Sequence, residues 1–223
     1  VMGGCIYVCG GSQGHLPLRV AERFDPNLGF WRDLPPMLVQ RCFSVAVAIK
    51  NRIFVCGGSG TREQVLDSVE SFCPEVENWH EELPMHTARY HATNTMMHGH
   101  LYVCGGNGAN GVLTSAERFN GNCWDLLPPM HQERFSCIAA VLHGCIYICG
   151  GYDGMVTLRS AERFRPCQRS GSASSPVRLR REAAGAGSHQ LHRGSASAYA
   201  VQQPGADSRT LGSWEILPPM SRP

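Results

Sequence analysis

The hydrophobic positions fall into short alternating runs that stop abruptly at paired glycines. Cys5–Gly11 reads CIYVCGG, Arg52–Gly58 RIFVCGG, His100–Gly106 HLYVCGG and Cys145–Gly151 CIYICGG. Alternation of large residues over five positions predicts a β-strand. The glycine pairs begin at residues 10, 57, 105 and 150, so the runs recur every 47, 48 and 45 residues. A fixed period of this size predicts a repeat architecture. The third period shows its parts. Arg89–Met97 is a strand, His98-Gly99 a hairpin turn, and His100–Cys104 a second strand ending at Gly105-Gly106. Leu113–Phe119 is a third strand and Cys123–Leu127 a fourth, stopped by Pro128-Pro129. Proline suits a strand end because it cannot donate to the ladder. Four short antiparallel strands per period predict one propeller blade.

The other periods superpose on it. Their hairpin turns are Gly3-Gly4, Lys50-Asn51 and His143-Gly144, and their third strands end AERF, VESF and AERF. Trp31, Trp79 and Trp124 sit in the fourth strands. LPPM, LPM and LPPM runs follow, each with an arginine four residues after the Met: Arg41, Arg89 and Arg134. The first strands Ser44–Ala48 and Cys137–Val141 are small and apolar, as crowding around a propeller axis requires. A double glycine after an aromatic-containing strand, then Glu-x-Phe, Trp, Pro-Pro-Met and Arg, resembles the kelch repeat. The resemblance covers residues 1–165 well and 213–222 in part. It implies an all-β propeller of four-stranded antiparallel kelch blades, incomplete, with about four to five blades represented.

The fifth period breaks the pattern. Residues 165–212 contain 29 Ser, Ala, Gly or Arg in 48 positions and a single aromatic, Tyr199. Such a stretch buries too little apolar area to offset its ordering entropy. The pattern returns at Ser213–Met220, with Trp214 two periods after Trp124. Residues 213–223 are therefore expected to be the outer strand of a further repeat. Residues 166–212 are expected to be disordered, either as an insertion or as sequence translated out of frame. A chain opening inside a repeat reads as a piece of something longer, marginally stable by itself, with exposed strand edges.

Charge adds little. The formal balance is +2, but residues 165–212 carry +5 and the rest −3. A nucleic-acid partner would rest on that segment alone. No apolar run is long enough for a transmembrane helix, so no membrane partner is expected. Eleven cysteines invite a disulfide reading. Yet Cys9, Cys56, Cys104 and Cys149 recur at one place per repeat, as small packing residues do. Free thiols and a reducing compartment, cytoplasmic with the nucleus as the alternative, are expected.

Catalytic residues should break the repeat symmetry. Glu22, Glu70, Glu117 and Glu162 obey it, and Arg41, Arg89 and Arg134 are their expected ion-pair partners. His98, His100, His143 and Cys145 lie at hairpin turns without tetrahedral metal spacing, so no metal or cofactor is expected. The recurrent Gly10, Gly11, Gly57, Gly58, Gly105, Gly106, Gly150 and Gly151 end strands and open no helix, so they are not phosphate cradles. With Trp31, Trp79, Trp124 and Trp214 they are structural. The positions that vary between repeats are the loops after the glycine pairs and the residues after the arginines. In kelch domains these share one face around the central channel, where peptides dock. The resemblance thus implies a partner-binding rim of Gln13, Phe43, Arg62, His91, Asn107, Phe135 and Tyr152. The expected function is a non-catalytic protein-interaction module. By resemblance it would recognise substrates for a cullin-type ubiquitin ligase through a BTB domain not in this chain. An actin or cytoskeletal scaffold and a galactose-oxidase-like propeller enzyme are the alternatives. Cysteine usage and the absence of a signal peptide in this sequence weigh against the enzyme.

Overall fold

The computed structural model describes residues 1–167 and 211–220. These form four larger antiparallel sheets in chain order, each a blade, and two two-stranded ribbons, Ser12–Gln13 with Leu16–Pro17 and Asn107–Gly108 with Gly111–Val112. The first has three strands, Ile6–Cys9, Ala21–Asp25 and Phe30–Asp33. The second has four: Val45–Ile49, Arg52–Cys56, Val69–Cys73 and Asn78–Glu82. The third has Thr93–Met97, His100–Cys104, Ala116–Phe119 and Trp124–Leu126. The fourth has Ile138–Leu142, Cys145–Cys149, Ala161–Pro166 and Gly212–Ile216. A single 3-10 turn, Thr61–Glu63, is the only helical element among the described residues. The inner hairpins turn on two positive-φ residues, such as His98 (51°) with Gly99 (74°). That twist matches the flanking strands.

Alternation along the second strand of each blade sorts its side chains between two neighbours. Ile53 and Val55 pack with Ala21, Leu34 and Met37 of the first blade. Phe54 and Cys56 pack with Leu101 and Val103 of the third. Tyr102 and Cys104 pack with Ile146 and Ile148 of the fourth. Both strand faces are therefore apolar, and the core is a series of layers between blades. Each outer-strand Trp lies opposite the third-strand Phe, as in Phe72↔Trp79 and Phe119↔Trp124. Its indole N–H donates backwards to the preceding blade: Trp79 to the Pro35 carbonyl at 2.7 Å, Trp124 to that of Leu83 at 3.0 Å. Trp31, with no preceding blade among the described residues, is 49% exposed against 4% for Trp79.

One expectation is corrected. The strand around Trp214 does not belong to a further repeat. Gly212–Ile216 pairs with Ala161–Pro166, setting Phe164 opposite Trp214, and completes the fourth blade. Trp214 donates to the Pro128 carbonyl at 2.8 Å, the same backward contact. The physical reason is that pairing follows the Phe–Trp contact and the ladder, not sequence distance. The Cys167 N–H donates to the Leu211 carbonyl at 3.2 Å, so the chain leaves and re-enters the hairpin at one point. The disorder and frame expectations for 166–212 fall on residues 168–210, outside the described residues. Pro166 and Gly212 themselves are strand residues.

Replacing residues 168–210 with the four-residue turn Asn120–Cys123 should leave the fourth blade intact. Trp214→Ala in that shortened chain should then destabilise by about 3–5 kcal/mol, as for other buried aromatics. Urea denaturation followed by circular dichroism measures it. A loss under about 1 kcal/mol would place Trp214 outside the core.

Candidate functional site

The recurrent arginines build the frame that holds the loop face. Arg41, Arg89 and Arg134 are almost fully buried, as are Glu70, Glu117 and Glu162. Arg41 lies in the link after blade one and contacts Glu70 of blade two at 2.7 Å. Its Nη1 donates to the Gly57 carbonyl at 2.7 Å and that of Ser68 at 3.0 Å. Arg89 repeats this with Glu117 (2.8 Å), Gly105 (2.6 Å) and Ser115 (3.0 Å). Arg134 repeats it with Glu162 (2.9 Å) and Gly150 (2.8 Å). The second carboxylate oxygen caps the link backbone, accepting from the N–H of Leu38, His86 and His131 at 2.6–2.7 Å. Buried charges persist only when paired and hydrogen-bonded, and these are. Of these three arginines, only Arg134 has an Nε without an acceptor among the described residues, whereas Arg89 Nε reaches the Thr87 carbonyl. Glu22 has no arginine partner among the described residues.

The glycine pair completes the joint from the other side. Gly11, Gly58 and Gly106 donate to the carbonyls of Arg41, Arg89 and Arg134 at 2.9–3.0 Å. A Cβ on Gly10, Gly57 or Gly105 would collide with those same carbonyl oxygens. Each arginine thus holds the glycine pair behind it with its backbone and the glycine carbonyl ahead of it with its side chain.

On this frame stands a row of rings. The residues after each arginine form bridges with the loop after the glycine pair: Cys42 with Ser59, Tyr90 with Asn107, Phe135 with Tyr152. The next residue takes a left-handed conformation, Phe43 at φ 55°, His91 at 51° and Ser136 at 50°. The His91 N–H donates to the Phe43 carbonyl at 3.0 Å, and the Ser136 N–H to the His91 carbonyl at 2.9 Å. Backbone hydrogen bonds therefore step from blade to blade. Phe43 stacks on His91 with centroids 4.0 Å apart, His91 lies 6.1 Å from Phe135, and Phe135 meets Tyr152 edge-on at 5.4 Å. Phe43 is half-exposed, and the others are partly exposed. Burial lowers the His91 pKa, which favours a neutral ring.

Five of the seven sequence-derived rim residues, Phe43, His91, Asn107, Phe135 and Tyr152, meet in this row. Gln13, on a two-residue strand, and Arg62, in the 3-10 turn, are exposed on separate loops. Sequence reasoning missed Tyr90. Its hydroxyl accepts from Asn107 Nδ2 at 3.0 Å and its ring lies 5.4 Å from His91. The signal was its place next to Arg89, matching Phe135 next to Arg134. The four repeat cysteines stand on the second strands. Burial pushes the thiols of Cys9, Cys56 and Cys104 up to about 12, so they are poor nucleophiles and metal ligands. Among the described residues, no group of three or more His, Cys, Asp or Glu side chains is placed to hold a metal.

Gly105→Ala and Gly150→Ala separate the joint from ordinary strain. Both glycines have φ near 60° (62° and 65°), but the nearest atom to a Cβ on Gly150 is 3.6 Å away. Gly105→Ala should cost about 1–3 kcal/mol more than Gly150→Ala, the usual penalty of overpacking. Equal urea midpoints for the two variants would remove the arginine carbonyl from the account.

Comparison with known proteins agrees with the geometry. The Kelch motif matches residues 1–38, 40–85, 88–131 and 134–170. Among solved structures, "Structure of YjhT" is similar at 14% identity and a TM-score of 0.62. The match covers 74% of this chain and 64% of that one, a likeness of fold alone. No curated protein sequence matches. Four motif matches spanning most of the chain, on four blades joined by one repeated arginine contact, make this chain a member of the kelch family with a β-propeller fold.

Proposed function

We propose that the chain is a non-catalytic interaction module that binds a peptide segment of another protein across the row from Phe43 to Tyr152. The observation that carries this reading is the row itself. Partly exposed aromatic rings occupy the positions that differ between repeats, on a backbone fixed by hydrogen bonds. Rigid aromatic side chains supply contact area at low entropic cost, the property of binding hot spots. Three of the four carboxylates that obey the repeat, Glu70, Glu117 and Glu162, are consumed by arginine, which supports a structural role for them. The adaptor role, substrate recognition for a cullin-type ubiquitin ligase, would require a BTB domain on the same polypeptide. A reducing, cytoplasmic setting is supported by eleven free cysteines, three of them buried and two exposed.

Panning a displayed library of random short peptides against the immobilised chain tests the reading. Enriched peptides should lose roughly tenfold or more in affinity against Phe135→Ala. They should bind Arg62→Ala, which lies off the row, about equally well. Enrichment of peptides indifferent to Phe135→Ala and His91→Ala would move the site elsewhere.

A further inference from the structure

The joint between blades one and two departs from the other two outside its buried arginine. In every blade the methionine that follows the outer strand donates its N–H to the carbonyl of a residue ahead of the third strand. Met37 donates to Arg19, Met85 to Asp67, Met130 to Thr114 and Met220 to Arg159, at 2.8–3.0 Å. One structural place therefore holds a cation, an acid, a neutral residue and a cation in turn. Three residues after the first three methionines the links carry Gln40, Ala88 and Glu133. Of the three joints, only the first combines an arginine at one place with no acid at the other.

That joint holds a cleft of about 290 Å³. Arg19, Gln40, Thr61 and Gln64 give it polar groups, and Leu38 and Leu66 give it apolar ones. No carboxylate lines it among the described residues. Arg19 is fastened to the link twice. Its carbonyl accepts from the Met37 N–H, and its Nε donates to the Met37 carbonyl at 2.6 Å. Its two Nη groups have no acceptor among the described residues. Glu70, which accepts from the Leu38 N–H, is already paired with Arg41. The adjoining turn carries one charge of each sign, Arg62 and Glu63.

The free edge of a fixed guanidinium matches the two oxygens of a carboxylate. The carboxamides of Gln40 and Gln64 and the Thr61 hydroxyl add uncharged donors. Apolar neighbours lower the local dielectric and strengthen such a contact. A phosphate fits less well. Phosphate cradles use several free backbone N–H groups. Here those of Leu38, Gly60 and Leu66 are spent on Glu70 and on the carbonyls of Gln64 and Gly58.

We infer that this cleft is a site for the side-chain carboxylate of an aspartate or glutamate in a partner protein, beside an apolar residue that packs on Leu38 and Leu66. None of its lining residues belongs to the row from Phe43 to Tyr152, and the inference stands without that row.

NMR titration of the isotope-labelled full chain with the peptide acetyl-Leu-Glu-Leu-amide tests it. The peptide should shift the backbone signals of Thr61 and Gln64. Acetyl-Leu-Gln-Leu-amide, which lacks only the charge, should bind roughly tenfold more weakly or not at all. Arg19→Met should cost the glutamate peptide a similar factor, and Arg19→Lys less. Arg159→Met removes the matching contact to a methionine carbonyl in blade four and should leave binding unchanged. Phe43→Ser, in the row, should also leave it unchanged. Gln64→Ala, at an exposed position, should weaken binding by a smaller factor and serves where Arg19→Met fails to fold. Equal binding of the glutamine peptide, or undiminished binding by Arg19→Met, overturns the inference. So do shifts at Thr61 and Gln64 produced by inorganic phosphate at lower concentration than by the glutamate peptide. Absence of any shift there with the glutamate peptide removes the cleft as a site and leaves the aromatic row untouched.

Discussion

The buried arginine between consecutive blades is the contact on which the rest depends. Each blade is a small twisted sheet with apolar side chains on both faces, so none has an enclosed core of its own. Apolar area draws neighbours together but does not fix their angle, because the hydrophobic effect has no direction. Arg41, Arg89 and Arg134 supply the direction. A planar guanidinium reaching a carboxylate, a glycine carbonyl and a serine carbonyl at once tolerates little rotation. The glutamate's other oxygen then ties down the link that follows the preceding blade. A buried ion pair is weak evidence of stability by itself, yet removing one partner is expensive. Its role here is register: it sets where each loop cluster stands relative to the next.

That register makes the ring row possible. Phe43, His91 and Phe135 belong to three different blades, and their rings meet only because the residues before them, the arginines, hold those blades at a constant offset. The left-handed backbone at Phe43, His91 and Ser136 costs energy for residues with a Cβ. The interblade hydrogen bonds from His91 and Ser136 offset part of it. Strain of this kind gathers at functional surfaces, and here two of the three left-handed residues, Phe43 and His91, carry the rings that stack.

The repeat, its four strands and the glycine–arginine pattern were legible in the sequence because each is dictated by local chemistry. Alternation marks strands, Gly-Gly marks a left-handed backbone, and proline marks an end. The blade of Trp214 was not legible. Its distance from Trp124 equals two periods, and spacing alone cannot tell a missing repeat from a lengthened hairpin. The decisive facts, Phe164 opposite Trp214 and Cys167 bonded to Leu211, are three-dimensional. The rim was legible in part. Phe43, His91, Asn107, Phe135 and Tyr152 follow from position in the repeat, while Gln13 and Arg62 share that position yet stand apart. Arg62 sits in a 3-10 turn found in no other described loop, where φ of 54° at Arg62 and 59° at Glu63 gives no signature a sequence reader would see. The place of Tyr90 beside His91 is not legible, because both adjacent residues join the row only where a left-handed residue follows the first.

A double-mutant cycle at Arg89 and Glu117 tests the arginine joint most directly. Arg89→Met and Glu117→Gln each remove one partner and leave the other buried, so each should cost about 3–5 kcal/mol in urea denaturation. The double variant should cost clearly less than their sum, with a coupling of about 1–3 kcal/mol. Two small and additive losses, under about 1 kcal/mol each, would show that the blades keep their angle without the pair and would contradict the account.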